Sequence, residues 1–451
     1  MQIIVVGCGK VGRTITTQLI QENNNVTVID TNASLIRNIS TNYDVMGIVG
    51  NGSSFTVLRQ ADLEHADMLI AVTESDEVNL LTCVIAKLNN TRCHTIARVR
   101  SPHYSAERHF LQRGLNLSMT INPELEAAKE IARLLNFPQA IEIFSFAKDR
   151  IDMLRFRVPR NSPLLGKSLK ALAPLTTNLL VCIIERNNKI MVPHGDTVIQ
   201  AGDILTIIAM PADAQEFFKK IGVRTNKCKD VMIVGGGDIT YYLSKILRDN
   251  RINVKIIEKD MDRCEELVEG LPGVTVDCGD GTEEELLKEE HIENMDGFVA
   301  CTGMDEVNAI LSMYALKQME GKVVTKVNHV DFGDVIEGLQ LDSVVNPKKL
   351  TAQQIVQYVR AAGNSMESNV ETLYRLMNGR VEALEFLIDK ESMIIGQKLV
   401  DMKIKEGVLI AGIVRNGRLI IPGGQDEFHV GDTVIVVTVH LGFHDIYNIL
   451  A

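Results

Sequence analysis

The chain has 451 residues, 45% of them hydrophobic and 23% charged, a balance ordinary for a globular protein and long enough for three or four domains with cores of their own. A net charge of −11 with no concentrated basic stripe argues against a nucleic-acid partner. No apolar run approaches the roughly 18 residues that span a bilayer, and the chain opens on a strand pattern without a charged leader, so the sequence predicts a cytoplasmic protein.

The first apolar run, 1–6, leads into Gly7-Cys8-Gly9-Lys10-Val11-Gly12 and then into helical spacing at Val11, Ile15, Leu19 and Ile20. In a strand, glycine turn and helix of this kind the first glycine turns the chain. The second lets backbone approach a pyrophosphate, and the third lets the helix pack on the strand. The helix start then presents free N–H groups and the positive dipole end to phosphates. A second apolar run, 26–29, ends in Asp30 and Thr31, with Asp30 lying 18 residues (30 − 12) beyond the third glycine. That spacing suits a carboxylate that accepts the ribose hydroxyls, and its charge disfavours a 2′-phosphate, so NAD or a plain adenine nucleotide is expected rather than NADP.

Strands are predicted over 45–49, 68–72 and 95–99, with a helix over 78–88, and this alternation gives a parallel, doubly wound sheet. The loops after these strands share the ligand-binding edge, which adds Gly50, Asn51, Gly52, Val72, Thr73, Glu74, Arg98 and Arg100 to the candidate contacts. Arg98 and Arg100, two apart on a predicted strand, are expected to point the same way at a phosphate. Ser53 and Ser75 read as helix N-caps.

Asn122-Pro123-Glu124 introduces a crossover helix with Ala127, Ala128, Ile131, Ala132 and Leu135. A smaller module without a glycine fingerprint follows, with strands predicted over 153–158, 179–185 and 204–209. The pattern then restarts. Gly235-Gly236-Gly237-Asp238-Ile239-Thr240 stands 228 residues on (235 − 7), and Glu258-Lys259, Asp280-Gly281, Thr302 and Lys326 take the places of Asp30-Thr31, Asn51-Gly52, Thr73 and Arg98. Asp76-Glu77-Val78-Asn79 recurs as Asp305-Glu306-Val307-Asn308, Asn122-Pro123 as Asn346-Pro347, and Gly202-Asp203 as Gly431-Asp432. The whole chain is two copies of a two-domain unit, with domains expected at 1–137, 138–226, 227–366 and 367–451. The fold class is α/β: two Rossmann-like domains, each followed by a small α+β domain. Thr240 in place of a close-packing glycine, and Lys326 in place of Arg98, predict an altered second phosphate site. Thr282 with Glu285 reads as a capping box.

Eight scattered cysteines without a C-x-x-C pair predict reduced, mostly buried thiols and no zinc site. His440 and His444 are spaced to share a helix face, although a surface pair after the last strand is the favoured reading.

The glycine turn, Asp30, the segment Ala71-Val72-Thr73-Glu74-Ser75-Asp76-Glu77-Val78-Asn79, Ala97-Arg98-Val99-Arg100, Asn122-Pro123-Glu124 and their second-half echoes resemble the regulatory subunits of Trk potassium-uptake systems, built from tandem RCK units. The resemblance spans essentially the whole chain. It implies a regulator rather than an enzyme, peripherally associated with the inner face of the cell membrane. It also implies binding of NAD(H) and ATP or ADP, a homo-oligomeric tetrameric ring and docking on a TrkH- or TrkG-type potassium transporter. Gly7, Gly9, Gly12, Asp30, Thr73 and Arg98 would be nucleotide contacts. Two other readings stay open on the residues alone: an NAD-dependent oxidoreductase, and an RCK-type regulator of another cation transporter. The apolar faces of the two crossover helices either pair subunits or are buried within one chain.

Overall fold

A computed structural model describes residues 1–101, 104, 108–148, 150–175, 178–223, 228–328, 339, 341–363, 370–377, 379–388 and 394–451. The expected domain limits at 226/227 and 366/367 lie outside the described residues.

The first apolar runs form β1 (Gln2–Val6), β2 (Asn25–Asp30), β3 (Met46–Val49), β4 (Met68–Ala71), β5 (His94–Arg98) and β6 (Met119–Ile121). They make a parallel sheet in the order β3-β2-β1-β4-β5-β6. Val6 pairs with Ile29 on one side and Ala71 on the other, so the strand order reverses at β1 and opens a crevice above its carboxyl end. The helix after the glycine turn, α1 (Lys10–Gln21), starts in that crevice; α2 (Ala33–Asn42), α3 (Phe55–Gln60), α4 (Asp76–Asn89) and α5 (Arg108–Gly114) follow. Ser75 caps α4 by accepting the Val78 N–H at 3.2 Å. Ser53 caps nothing: its backbone N–H and hydroxyl both donate to Asn51 Oδ1, and α3 starts after Ser54.

The crossover helix α6 (Pro123–Asn136) leads into an antiparallel sheet of β7 (Glu142–Phe146), β8 (Ile151–Arg157), β9 (Leu179–Arg186), β10 (Lys189–Met191) and β11 (Ile204–Ala209), ordered β10-β9-β11-β8-β7, followed by α7 (Pro211–Lys220). The second half repeats the first. Strands β12 (Asp230–Val234), β13 (Asn253–Glu258), β14 (Thr275–Cys278), β15 (Gly297–Ala300), β16 (Lys322–Lys326) and β17 (Ser343–Val345) alternate with α8 (Asp238–Asp249), α9 (Met261–Gly270), α10 (Glu284–Glu289) and α11 (Asp305–Gln318) in the order β14-β13-β12-β15-β16-β17. Then come the crossover helix α12 (Pro347–Gly363) and an antiparallel sheet of β18 (Val370–Leu376), β19 (Val381–Leu387), β20 (Val408–Arg415), β21 (Arg418–Ile420) and β22 (Thr433–Thr438). The recurring Gly-Asp pair has a physical reason. Buried Asp203 accepts a forked pair of bonds from Arg186, and Asp432 does the same for Arg415.

Each crossover helix buries its apolar face on the other half. Ile131 and Leu135 of α6 share a core with Ile239 and Leu243 of α8, while Ile355 and Val359 of α12 pack with Ile15 and Leu19 of α1. The two small sheets also meet, with Ile183 and Ile208 against Ile435 and Val437. Burying each such side chain contributes on the order of 1.5–3 kcal/mol, so the exchange holds the halves together without a second subunit. Polar contacts also fasten it. Glu22 at the end of α1 accepts from Arg360 of α12 and from Arg375 of β18, and Arg375 continues to fully buried Glu382 at 3.4 Å. The Lys322 ammonium, itself buried, reaches the Ala140 carbonyl at 2.6 Å and Asp342 at 3.0 Å. His94 meets the Tyr358 hydroxyl of α12 at 3.1 Å.

A second expected cap is corrected. Thr282 is no cap: its N–H and hydroxyl both donate to Asp280 Oδ1, which makes a local turn, and α10 begins one residue later after Glu283 without a side-chain cap. The favoured reading of His440 and His444 holds: both are exposed after the last strand, where Gly442 at φ +83° breaks the segment and His440 turns back onto the Glu406 carbonyl at 2.7 Å. Seven of the eight cysteines are buried and all are free thiols; Cys278 is exposed.

Candidate functional site

Gly7 has φ +102°, and a side chain there would meet the Val72 and Thr73 backbone at 2.9 Å. Gly12 is tighter still, since a Cβ would fall 1.8 Å from the Gly7 carbonyl oxygen, and this closeness seats α1 on the turn. Gly9 faces open space. As the N-cap of α1 it has no side chain to occupy the first-turn N–H groups, and Lys10 stands exposed beside them, so the helix start suits an anion. Asp30 accepts the Cys8 N–H at 2.6 Å and the Asn32 N–H at 2.8 Å, with exposed Thr31 between. The carboxylate therefore holds the turn while remaining only half-buried. The Gly50 N–H donates to the Asp30 carbonyl, Asn51 orders the next turn, and Gly52 packs on Val6, so this loop borders the same crevice.

On the other side, the Val72 N–H continues the ladder to Val6, and the Thr73 N–H and hydroxyl both donate to Asn79 Oδ1. Asn79 in turn donates to the Arg98 carbonyl at 2.9 Å. Asp76 accepts the N–H groups of Arg100 and Ser101 at 2.8 Å each. The recurring Asp-Glu-Val-Asn motif thus ties the β4 loop to the β5 loop. Arg98 and Arg100 separate, contrary to the expectation for a strand pair: β5 ends at Arg98, and the Arg100 guanidinium donates to the carbonyl of exposed Glu74.

The second turn copies this backbone with other side chains. Gly235 has φ +104°, and Gly237 faces open space. Glu258 accepts the Gly236 N–H at 2.5 Å and the Asp260 N–H at 2.9 Å, with Lys259 exposed beside it. Asp280 and Gly281 form the adjoining turn, and Thr302 is held by Asn308, which also donates to the Lys326 carbonyl. Thr240 sits where Gly12 sits, and its hydroxyl donates to Gly235 O at 2.5 Å. Asp238 replaces Lys10 at the helix start and pairs with Arg263 at 3.3 Å, whose Nε also donates to Gly236 O.

The exchanged helices bring both helix starts to one cavity of about 310 Å³ between the halves. Of the predicted contacts it is lined by Val11, Arg98, Gly237, Asp238, Ile239 and Lys326. Glu124, Asn328 and Lys348 also line it and were not predicted as contacts; the signal available was the Asn-Pro step preceding Glu124 and Lys348. Arg98 Nε and Glu124 Oε2 are buried there without a hydrogen-bond partner. Burial, then the nearby Arg100 charge, pulls the Arg98 pKa down, and burial pushes the Glu124 carboxyl up. These are charged groups held ready with hydrogen-bonding capacity unspent. Among the described residues no group of three metal-ligating side chains occurs.

The TrkA-N domain matches residues 3–123 and again 231–347, and the TrkA-C domain matches 153–222 and 383–451. The chain belongs to the TrkA family. It is 32% identical over 444 residues to the Trk system potassium uptake protein TrkA of Vibrio alginolyticus, covering 98% of this chain and 96% of that one. It is 31% identical over 445 residues to TrkA homolog 1 of Methanosarcina mazei, covering 97% of each. Among solved structures it shares its fold with the GsuK RCK domain, at TM-score 0.62 and 16% identity over 97% of this chain and 92% of that one. The GsuK channel superposes at TM-score 0.64 and 16% identity, covering 97% of this chain and 76% of the channel. TrkA relatives are named for potassium uptake, and among the described residues no helix is long and apolar enough to cross a membrane.

Proposed function

We propose that this chain is the cytoplasmic regulatory subunit of a potassium-uptake transporter, a switch rather than an enzyme, which senses NAD(H) and ATP or ADP. The observation that carries the reading is the shared cavity: two helix starts, α1 and α8, open onto one space in which the buried Arg98 Nε and Glu124 Oε2 atoms lack hydrogen-bond partners. Charge added there acts on both halves at once. In the first site Gly7, Cys8, Gly9, Lys10, Val11 and Gly12 would hold the phosphates, Asp30 and Thr31 the ribose, and Gly50, Asn51, Gly52, Val72, Thr73 and Glu74 the rest, with Arg98 reading the terminal phosphate. In the second, Gly235, Gly237, Asp238, Ile239, Glu258, Lys259, Asp280, Gly281, Thr302 and Lys326 take these roles. A diphosphate and a triphosphate that engage Arg98 and Lys326 unequally shift the population of angles between the nucleotide domains.

The names of the relatives support the potassium assignment, and among the fold neighbours one GsuK channel structure is titled as bound to NAD and another to ADP. The domain limits stay at 1–137, 138–226, 227–366 and 367–451. Exposed Ile310, Met313 and Leu316 make an apolar stripe on α11, and Leu81 and Leu88 are exposed on α4; joining such faces between copies would build a tetrameric ring. The ring would dock peripherally on a TrkH- or TrkG-type transporter at the inner membrane face.

Calorimetry of ATP, ADP, NAD and NADH on wild type and Asp30→Ala tests the site. Loss of charge-assisted bonds to a ribose, about 1.5–3 kcal/mol each, should weaken binding at the first site by about 10–100-fold without NADH consumption. Equal affinity for ATP and ADP, with potassium flux in reconstituted vesicles indifferent to both, would defeat the switch.

A further inference from the structure

Two thiols adjoin the backbone of Glu258, whose carboxylate belongs to the second site. Cys264, on α9 and buried, donates its thiol to the Glu258 backbone carbonyl at 3.3 Å, and Cys278 is near enough to be among the groups that raise its pKa. Cys278 ends β14 as the register partner of Glu258 across the β13–β14 pair, and it alone among the eight cysteines is exposed. The Glu258 side chain meanwhile holds the Gly236 N–H of the glycine turn. The first half has no counterpart: Ile36 (264 − 228) and Val49 (278 − 229) occupy these places. A solvent-facing thiol and a shielded one, both adjoining the same residue, are the arrangement of an attacking and a resolving cysteine.

We propose that Cys264 and Cys278 are a redox switch, closing to a disulfide that weakens nucleotide binding at the second site; the consequence for binding rests on the reading of that site given above. The oxidant is a hydroperoxide. The Cys278 thiolate attacks a peroxide oxygen, an S–O bond forms as the O–O bond breaks, and the alcohol, or water from hydrogen peroxide, leaves. Cys264 then attacks the sulfenic sulfur, the S–S bond forms, and the hydroxyl departs with the Cys264 proton as water. The two sulfurs give up two electrons and the peroxide gains them. Cys264 is suited only to the second step, because burial, foremost, and then Cys278 itself push its thiol up to about 12. Closing the bond removes the Cys264 hydrogen bond from the Glu258 carbonyl and ties α9 to the end of β14, displacing the carboxylate that positions Gly236.

The test treats the full-length chain with hydrogen peroxide, blocks remaining thiols with iodoacetamide and maps peptides by mass, with calorimetry on the same samples. Expected are a cross-linked 264–278 peptide, its absence in Cys278→Ser and Cys264→Ser, and binding at the second site weakened about tenfold in oxidised wild type, the equivalent of one lost charge-assisted bond. Dithiothreitol should restore binding, and Cys278→Ser should bind equally well with and without peroxide. Cys278 recovered only as a sulfinic acid, or neither thiol protected from iodoacetamide, would overturn the disulfide. A disulfide that forms with binding unchanged would overturn the switch. A reduced wild type that binds nucleotide only at the first site would overturn the second-site reading and the switch with it, while the peptide map still decides the disulfide separately.

Discussion

The two glycine turns share a backbone and differ in what surrounds it. Gly7 and Gly235 take the same left-handed conformation, and Asp30 and Glu258 make the same two backbone bonds. Around that constant frame the first helix start carries Lys10 and the second Asp238, the first turn closes on Gly12 and the second on Thr240, and only the second is strapped by Arg263. The backbone makes a nucleotide site possible, and the side chains tune how welcome a phosphate is. One half keeps the anion-friendly form while the other is neutralised and given a thiol pair.

The comparison breaks most severely at Gly12. Gly12→Thr copies Thr240 into a turn where a Cβ falls 1.8 Å from a carbonyl oxygen, so α1 must lift off. A loss of more than about 3 kcal/mol and of first-site binding is expected. Thr240→Gly should cost only about 1 kcal/mol. Melting curves and calorimetric site counts compare the two, and equal effects would mean that the turns are interchangeable.

Next in size is the end of the same helix. Glu22 lies opposite Arg360 and Arg375, whereas its counterpart in the second half is Asn250 (250 − 22 = 228). Glu22→Asn leaves the partly buried Arg360 without a carboxylate and Arg375 with Glu382 alone, and should cost about 3 kcal/mol in urea unfolding. A change below about 0.5 kcal/mol would show that this junction contributes nothing to joining the halves.

Glu130 of α6 sharpens the comparison through pH, because Gln354 stands at its place in α12 (354 − 130 = 224, as 347 − 123). Burial, only partly offset by Arg133, raises the Glu130 pKa to about 7. The folded state then binds a proton that the unfolded chain has already released. This contribution is present below the ordinary carboxylate range, and stability falls as pH rises toward 7. Glu130→Gln should flatten that fall by about 1–3 kcal/mol between pH 4.5 and 7. Parallel pH profiles of wild type and variant would remove Glu130 as the cause. The smallest effect is expected at Asp238→Lys, which gives the second helix start the charge of the first and should tighten ADP there about two- to fivefold, from about 0.5–1 kcal/mol of helix-end electrostatics. Weaker ADP binding in that variant would show that Asp238 holds the turn through Arg263 rather than opposing phosphate.

Much of this was legible in the residues. The strands at 45–49, 68–72 and 95–99 appear within a residue or two as Met46–Val49, Met68–Ala71 and His94–Arg98, because an apolar run between turn residues has few alternatives in a parallel sheet. Local side-chain chemistry was less readable. Thr282 and Ser53 looked like caps, but Asp280 or Asn51 two residues earlier captured each hydroxyl, a competition that spacing alone does not rank. The Arg98 and Arg100 pair failed because the strand stopped between them.

By itself the sequence determined the repeat, the four sheets and the glycine turns, since a period of two, a period of 3.6 and a position that only glycine tolerates are local properties of the chain. The tertiary structure decided which half each crossover helix covers. An apolar stripe on α6 or α12 states that something must bury it without naming the partner. Only the packing of Ile131 on Leu243 and of Val359 on Leu19 placed both helix starts, with Arg98 and Glu124, around a single cavity.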